Sequence, residues 1–195
     1  MFDPNFIEIY DNALPSYYCK EIIQWMEKQE LGRGILGPEK RFRIEEKDCW
    51  EIGSNLTKVG KGENPLSTEI FKCLGDHIQS YKNTYPSLQS IGYWQVSEGY
   101  NLQKYNPGQG YHQIHCEHDH KNSIRVMAWM IYLNTVTDKG GTYFNVYDKM
   151  IRPKEGRLVI WPAYWTHTHH GIVSETETKY LLTGWYEFCP LNFSD

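Results

Sequence analysis

RVMAWMIYLNTVTDKGGTYFNVYDKMIRPKEGRLVIWP, residues 125–162, decides the fold. Short runs rich in Val, Ile, Met, Tyr and Trp alternate with turn signals, Asp-Lys-Gly-Gly and Lys-Glu-Gly among them. The runs are too short for helices and stop where strands usually break. The same texture extends both ways, with YWQV, YNLQKY and YHQIHCE before this stretch and HHGIV and KYLLTGWYEF after it. So many short strands from Tyr93 onward predict an all-β sandwich or barrel.

Upstream the texture changes. FIEIY alternates briefly. SYYCKEIIQWMEKQ then places Tyr18, Ile22, Trp25 and Met26 at helical spacing, with Ser16 as a helix cap after Pro15. A second helix is expected in PLSTEIFKCLGDHIQSYKNTYP, where Leu66, Ile70, Leu74, Ile78 and Tyr81 form a stripe that Pro86 stops. Between the helices lies a glycine-rich, charged stretch, carrying Arg33, Lys40, Arg41, Arg43, Glu45, Glu46 and Asp48, which reads as long loops with one strand around Asp48 to Ile52.

A chain of 195 residues with 40% hydrophobic content fits one domain, residues 1–92 supplying helices and loops and 93–195 the strands. The net charge of −4 is mild, and no run of Lys or Arg tracks a phosphate backbone, so nucleic acid is not an expected partner. Five scattered cysteines without a C-x-x-C pair argue against a disulfide framework and fit a reducing compartment. With no leader pattern and no long apolar run, no membrane partner is expected and the protein should be cytoplasmic. The sequence is silent on oligomeric state.

Chemistry concentrates in HQIHCEHDH, residues 112–120. On a strand, His115 and Glu117 share a face and present an imidazole and a carboxylate to one point, two thirds of a 2-His-1-carboxylate iron triad. WPAYWTHTHHG, with His167, His169 and His170, offers the third ligand. His112, His118, Asp119 and His120 read most simply as a solvated strand end and turn. A zinc protease or deaminase is a poor fit, because H-E-x-x-H, H-x-x-E-H and a following P-C-x-x-C are all missing.

The run KYNPGQGYHQIHCEHD, then MAWMIYLN, DKGGTYF, KEGRLVIWP, the histidine cluster and KYLLTGWYEF, resembles the 2-oxoglutarate- and Fe(II)-dependent oxygenases, most closely the prolyl 4-hydroxylase-like group with its short phage-borne forms. The resemblance implies a mainly β fold, a double-stranded β-helix or cupin-like jelly roll behind N-terminal helices. It also implies a dioxygenase that hydroxylates a C–H bond using Fe(II), 2-oxoglutarate and ascorbate as reductant. His115 and Glu117 match the near pair, with glutamate where aspartate is more frequent. His169, followed by Gly171 and then Lys179, best matches the distal ligand. His167 is the runner-up, at the commoner distance after Trp161-Pro162, and Val173 stands where proline is usual.

The resemblance further implies that 2-oxoglutarate fills two metal positions and sends its far carboxylate to Lys179. Tyr132 matches a position that supplies a hydroxyl there, Tyr105 matches a tyrosine bordering the cosubstrate, and Thr183 lies on the face of Lys179. The substrate is expected to be a residue of a peptide or protein, proline first, or else a small molecule. A non-catalytic jelly-roll binding module is the alternative, disfavoured by His115, Glu117, a distal histidine and Lys179 occurring together.

Overall fold

The computed structural model describes residues 5–34, 43–58 and 63–189. In chain order the elements are β1 (Glu8–Tyr10), α1 (Ser16–Met26), β2 (Gly32–Arg33), β3 (Trp50–Asn55), α2 (Ser67–Thr84), β4 (Trp94–Tyr105), β5 (Arg125–Tyr132), β6 (Thr142–Phe144), β7 (Lys149–Ile151), β8 (Leu158–Pro162), β9 (His169–Gly171) and β10 (Lys179–Phe188). A seven-stranded antiparallel sheet in the order β1-β8-β5-β10-β4-β3-β2 accompanies a three-stranded sheet in the order β7-β6-β9. This is the jelly roll with N-terminal helices that the sequence led us to expect. The N-terminal part does more than support it, since β1, β2 and β3 extend the large sheet.

The run RVMAWMIY in β5 is buried almost throughout because it separates two cores. Successive side chains on a strand point to opposite faces. Met127, Trp129 and Ile131 accordingly join Ile22, Met26, Ile70 and Leu74 of the helices. Ala128, Met130 and Tyr132 turn inward to Phe144, Val159 and Trp161. β10 follows the same rule, with Leu182 and Tyr186 in the helical core and Leu181 inside the barrel, which sends Lys179, Thr183 and Trp185 inward too.

Three expectations change. Pro15, not Ser16, takes the N-cap position of α1, with φ −56° and ψ 141°, and no side chain caps that helix. YWQV and YNLQKY form one strand, β4. YHQIHCE is not a regular strand: it makes only isolated bridges, Tyr111 to Lys47 and His115 to His169.

Candidate active site

The bridge between His115 and His169 builds the centre. Each backbone N–H donates to the other's carbonyl, at 3.0 and 2.9 Å, which lays the 111–117 segment along β9. The Glu117 and His118 amides donate to Ala163 O just beyond β8, at 3.0 and 2.9 Å. The segment is thereby pinned between both sheets, and His115, Glu117 and His169 bring one ligand atom each within 4.8 Å of one another.

The two imidazoles are oriented by their far nitrogens. Nδ1 of His115 donates to Gln113 O at 2.8 Å, and Nδ1 of His169 to His167 O at 2.9 Å. With that proton placed, each Nε2 keeps its lone pair. Both Nε2 atoms lie 3.5 Å from the same oxygen, Glu117 Oε1. The other oxygen, Oε2, accepts from Trp185 Nε1 at 2.8 Å and faces Arg125 at 3.5 Å. Donors about 2.1 Å from one first-row ion at right angles stand about 3 Å apart, so the set fits a facial iron triad with little movement.

The electrostatics agree with that use. Burial opposes the charge of Glu117, but His115 and His169, when they carry a proton on the facing Nε2 that a metal would replace, outweigh it and hold the carboxyl well below its usual range. Burial, and then the neighbouring His115, lower the pKa of His169, which keeps it a neutral imidazole able to donate a lone pair. Phe144 and Trp161 wall its ring at 5.3 and 5.2 Å, and Tyr111 stacks on His115 at 3.9 Å.

His167 sits apart from this cluster. It lies in a short 3-10 turn, only 2% exposed, with Nε2 bonded to Asn5 O and Nδ1 to Thr166 Oγ1, each at 2.9 Å. It contributes the backbone carbonyl that orients His169. His118 pairs with Arg125 O, and Asp119 accepts the Lys121 and Asn122 amides, so both belong to the local turn.

A cavity of about 900 Å³ opens from the cluster into the barrel, lined by Tyr105, Thr142, Lys179, Leu181 and Thr183. Lys179 is 3% exposed; its Nζ donates to Gly140 O at 2.8 Å and lies 4.6 Å over the Tyr105 ring. Among the described residues no carboxylate pairs with it. Burial lowers its pKa to about 8. Tyr132 is the exception among the expected residues: fully buried, it stays behind the wall and bonds Thr142 Oγ1 at 2.8 Å. Thr142 faces the cavity in its place.

Thr142, and the wall formed by Lys47, Glu51 and Gln103, were not singled out from sequence. Neither was Arg125, whose guanidinium stacks on Trp185 at 3.6 Å. Of the charged inter-helix residues, Arg33 pairs with Asp48 and Arg43 with Glu46, while Lys40 and Arg41 lie outside the described residues.

Residues 100–187 match the family model of the 2OG-Fe(II) oxygenase superfamily. The fold is similar to a viral collagen prolyl hydroxylase of Paramecium bursaria Chlorella virus-1, at 16% identity over 94% of this chain and 97% of that one, with a TM-score of 0.67. A Pseudomonas putida prolyl-4-hydroxylase gives 15% identity, 95% and 94% coverage and a TM-score of 0.69. A Trichoplax adhaerens prolyl hydroxylase, solved with a hypoxia inducible factor peptide fragment, gives 16% identity, 94% and 84% coverage and a TM-score of 0.69. No curated protein matches in sequence. These neighbours speak for the fold, and the match of residues 100–187, from within β4 to within β10, makes that part of the chain similar to the 2OG-Fe(II) oxygenase superfamily, whose members are Fe(II)- and 2-oxoglutarate-dependent oxygenases.

Proposed function

We propose that His115 Nε2, His169 Nε2 and Glu117 Oε1 hold the iron, that Lys179 and Thr183 receive the far carboxylate of 2-oxoglutarate beside Tyr105, and that the enzyme hydroxylates a residue within a peptide or protein, proline being the first candidate. The observation that carries this is the convergence of two Nε2 lone pairs on one carboxylate oxygen, with every other donor of the three side chains already engaged.

The bound metal and cosubstrate supply the oxidation, in which 2-oxoglutarate is decarboxylated as a C–H bond of the substrate is hydroxylated. The protein's own groups orient and exclude. Trp185 holds Oε2 of Glu117 by a hydrogen bond, leaving Oε1 for the metal. Leu181, Met130 and Trp161 supply the apolar part of the wall, so water is displaced when the cosubstrate fills the cavity.

An extended substrate is supported by the shape of the mouth. A second groove of about 430 Å³ adjoins the cavity, and Asn101, Arg125 and Trp185 line both. The Trichoplax neighbour's peptide complex is consistent with such a path. Ascorbate is the expected reductant. The five unpaired cysteines support a reducing, cytoplasmic setting. No described helix is long and apolar enough to cross a membrane.

The test is anaerobic reconstitution with Fe(II), followed by succinate release on admitting air. The wild type should consume 2-oxoglutarate, and Glu117→Ala and His169→Ala should bind neither metal nor cosubstrate. Full iron binding by both variants would overturn the ligand assignment.

A further inference from the structure

Beyond the groups assigned above, the cavity wall carries a directed chain of buried polar side chains from the inter-helix loop to the floor. Lys47 Nζ donates to Glu51 Oε2 at 2.6 Å. Gln103 Nε2 donates to that same oxygen at 3.1 Å, and Tyr105 Oη donates to Gln103 Oε1 at 3.0 Å. Lys47 and Gln103 are each 5% exposed and Tyr105 4%. The sense of the chain is fixed by chemistry. A carboxylate only accepts, so the amide nitrogen of Gln103 must face Glu51, its oxygen must face Tyr105, and the tyrosine must donate. β3 and β4 supply the scaffold, since Glu51 and Gln103 are register partners.

The end of that chain is the ring on which Lys179 rests. Among the described residues the ammonium has two supports, the Gly140 carbonyl and the face of Tyr105. A cation over an aromatic face within about 6 Å is held by the ring quadrupole. A ring free to swing about its first torsions would leave the ammonium one support and several accessible positions. Tying its hydroxyl to Gln103 removes that freedom, and Glu51, neutralised by Lys47, removes it from Gln103.

We propose that Gln103 and Glu51 are positioning residues for the cosubstrate: acting through the Tyr105 hydroxyl, they fix the ring that seats the Lys179 ammonium and so set the affinity for 2-oxoglutarate without touching it. The proposal rests on the reading of Lys179 as the seat of the far carboxylate. Preorganised groups bind more tightly because the ordering is complete before the ligand arrives.

The experiment is calorimetric titration of 2-oxoglutarate into the anaerobic Fe(II) protein, with iron affinity and melting temperature measured in parallel. Gln103→Leu and Tyr105→Phe should each weaken 2-oxoglutarate binding about two- to tenfold, the range of one lost hydrogen bond. Iron affinity should be unchanged. The double variant should be no weaker than the worse single, because both remove the same tie. Tyr105→Phe keeps the ring and the packing, so it remains informative if Gln103→Leu folds poorly. Lys179→Met separates the two claims. If it weakens binding while Gln103→Leu and Tyr105→Phe do not, or if those two are additive, the positioning role is overturned and the Lys179 reading stands. If Lys179→Met binds 2-oxoglutarate normally, both fall.

Discussion

Lys179 is a buried cation with no counter-charge among the described residues, and its burial sets its pH behaviour. Burial brings its pKa down to about 8, so the ammonium is present below that pH and lost above it. A bound carboxylate favours the charged form, so binding and protonation are linked. The affinity for 2-oxoglutarate should be flat below pH 8 as far as this group is concerned, then fall about tenfold per unit above it. Anaerobic titrations across pH 7 to 9.5 check this; a flat profile would remove Lys179 from the site. Lys179→Met should lose that dependence and weaken binding by about 1.5–3 kcal/mol with iron affinity retained. The histidine pair makes a second test at this scale. His167 has both ring nitrogens engaged by Asn5 and Thr166, so His167→Ala should lose about 1–3 kcal/mol of stability and keep its iron. His169→Ala should lose the iron. The reverse pattern in metal content after dialysis would exchange their roles.

β10 carries the inward row Lys179, Thr183 and Trp185, and its placement depends on a residue of the opposite face. A Cβ on Gly184 would meet Trp129 Cζ2 at 2.4 Å, and Trp129 is fully buried in the helical core. Gly184→Ala should therefore shift β10 against β5 and cost about 1–3 kcal/mol, read as a lower melting temperature and weaker cosubstrate binding. An unchanged melt would show that the core yields more easily than this packing implies. The strands were legible because two-faced burial still obeys period 2: β5 and β10 read directly as strands. β4 read as two because Ser97-Glu98-Gly99 has the composition of a turn. In the structure the register against β10 slips between Gly184 and Tyr186, so β4 absorbs the extra residues as an irregularity inside a continuous strand. The near pair His115 and Glu117 was legible from spacing. His169 was preferred to His167 only through the spacing that the resemblance implies, since the 3-10 turn over Trp165–His167 that separates the two histidines has no local sequence signature. The resemblance put Tyr132 beside the cosubstrate, yet depth along a strand is a tertiary property: Tyr132 bonds Thr142 of β6, and it is Thr142 that lines the cavity. The Lys47, Glu51 and Gln103 chain joins residues far apart in sequence, and no local pattern announces it.

At the scale of the whole molecule, the large sheet and the described inter-helix residues border a cavity and an adjoining groove, which favours the extended substrate proposed above. Arg43, Glu46 and Gln113 border the cavity on one side, and the second groove continues past Trp185 to Gly53, Ser54 and Glu98 on the other. A pocket for a free metabolite is usually more closed and more apolar than this. The mouth is polar, with Arg125 stacked on Trp185 at the junction of cavity and groove, an arrangement suited to backbone carbonyls and a flanking ring. An extended peptide advances about 3.3 Å per residue, so several residues on either side of the reacting one would lie against the protein. Turnover should therefore rise with peptide length around a central proline until the trench is filled, then level off, and Trp185→Ala should flatten that rise by removing a surface shared by both parts. The measurement is kcat/KM, from succinate and from the product one oxygen atom heavier, for free proline, a tripeptide and peptides of about six to twelve residues. Free proline or another small metabolite turned over in preference to every peptide would sink the extended-substrate reading, while the metal and cosubstrate assignments would stand on their own tests.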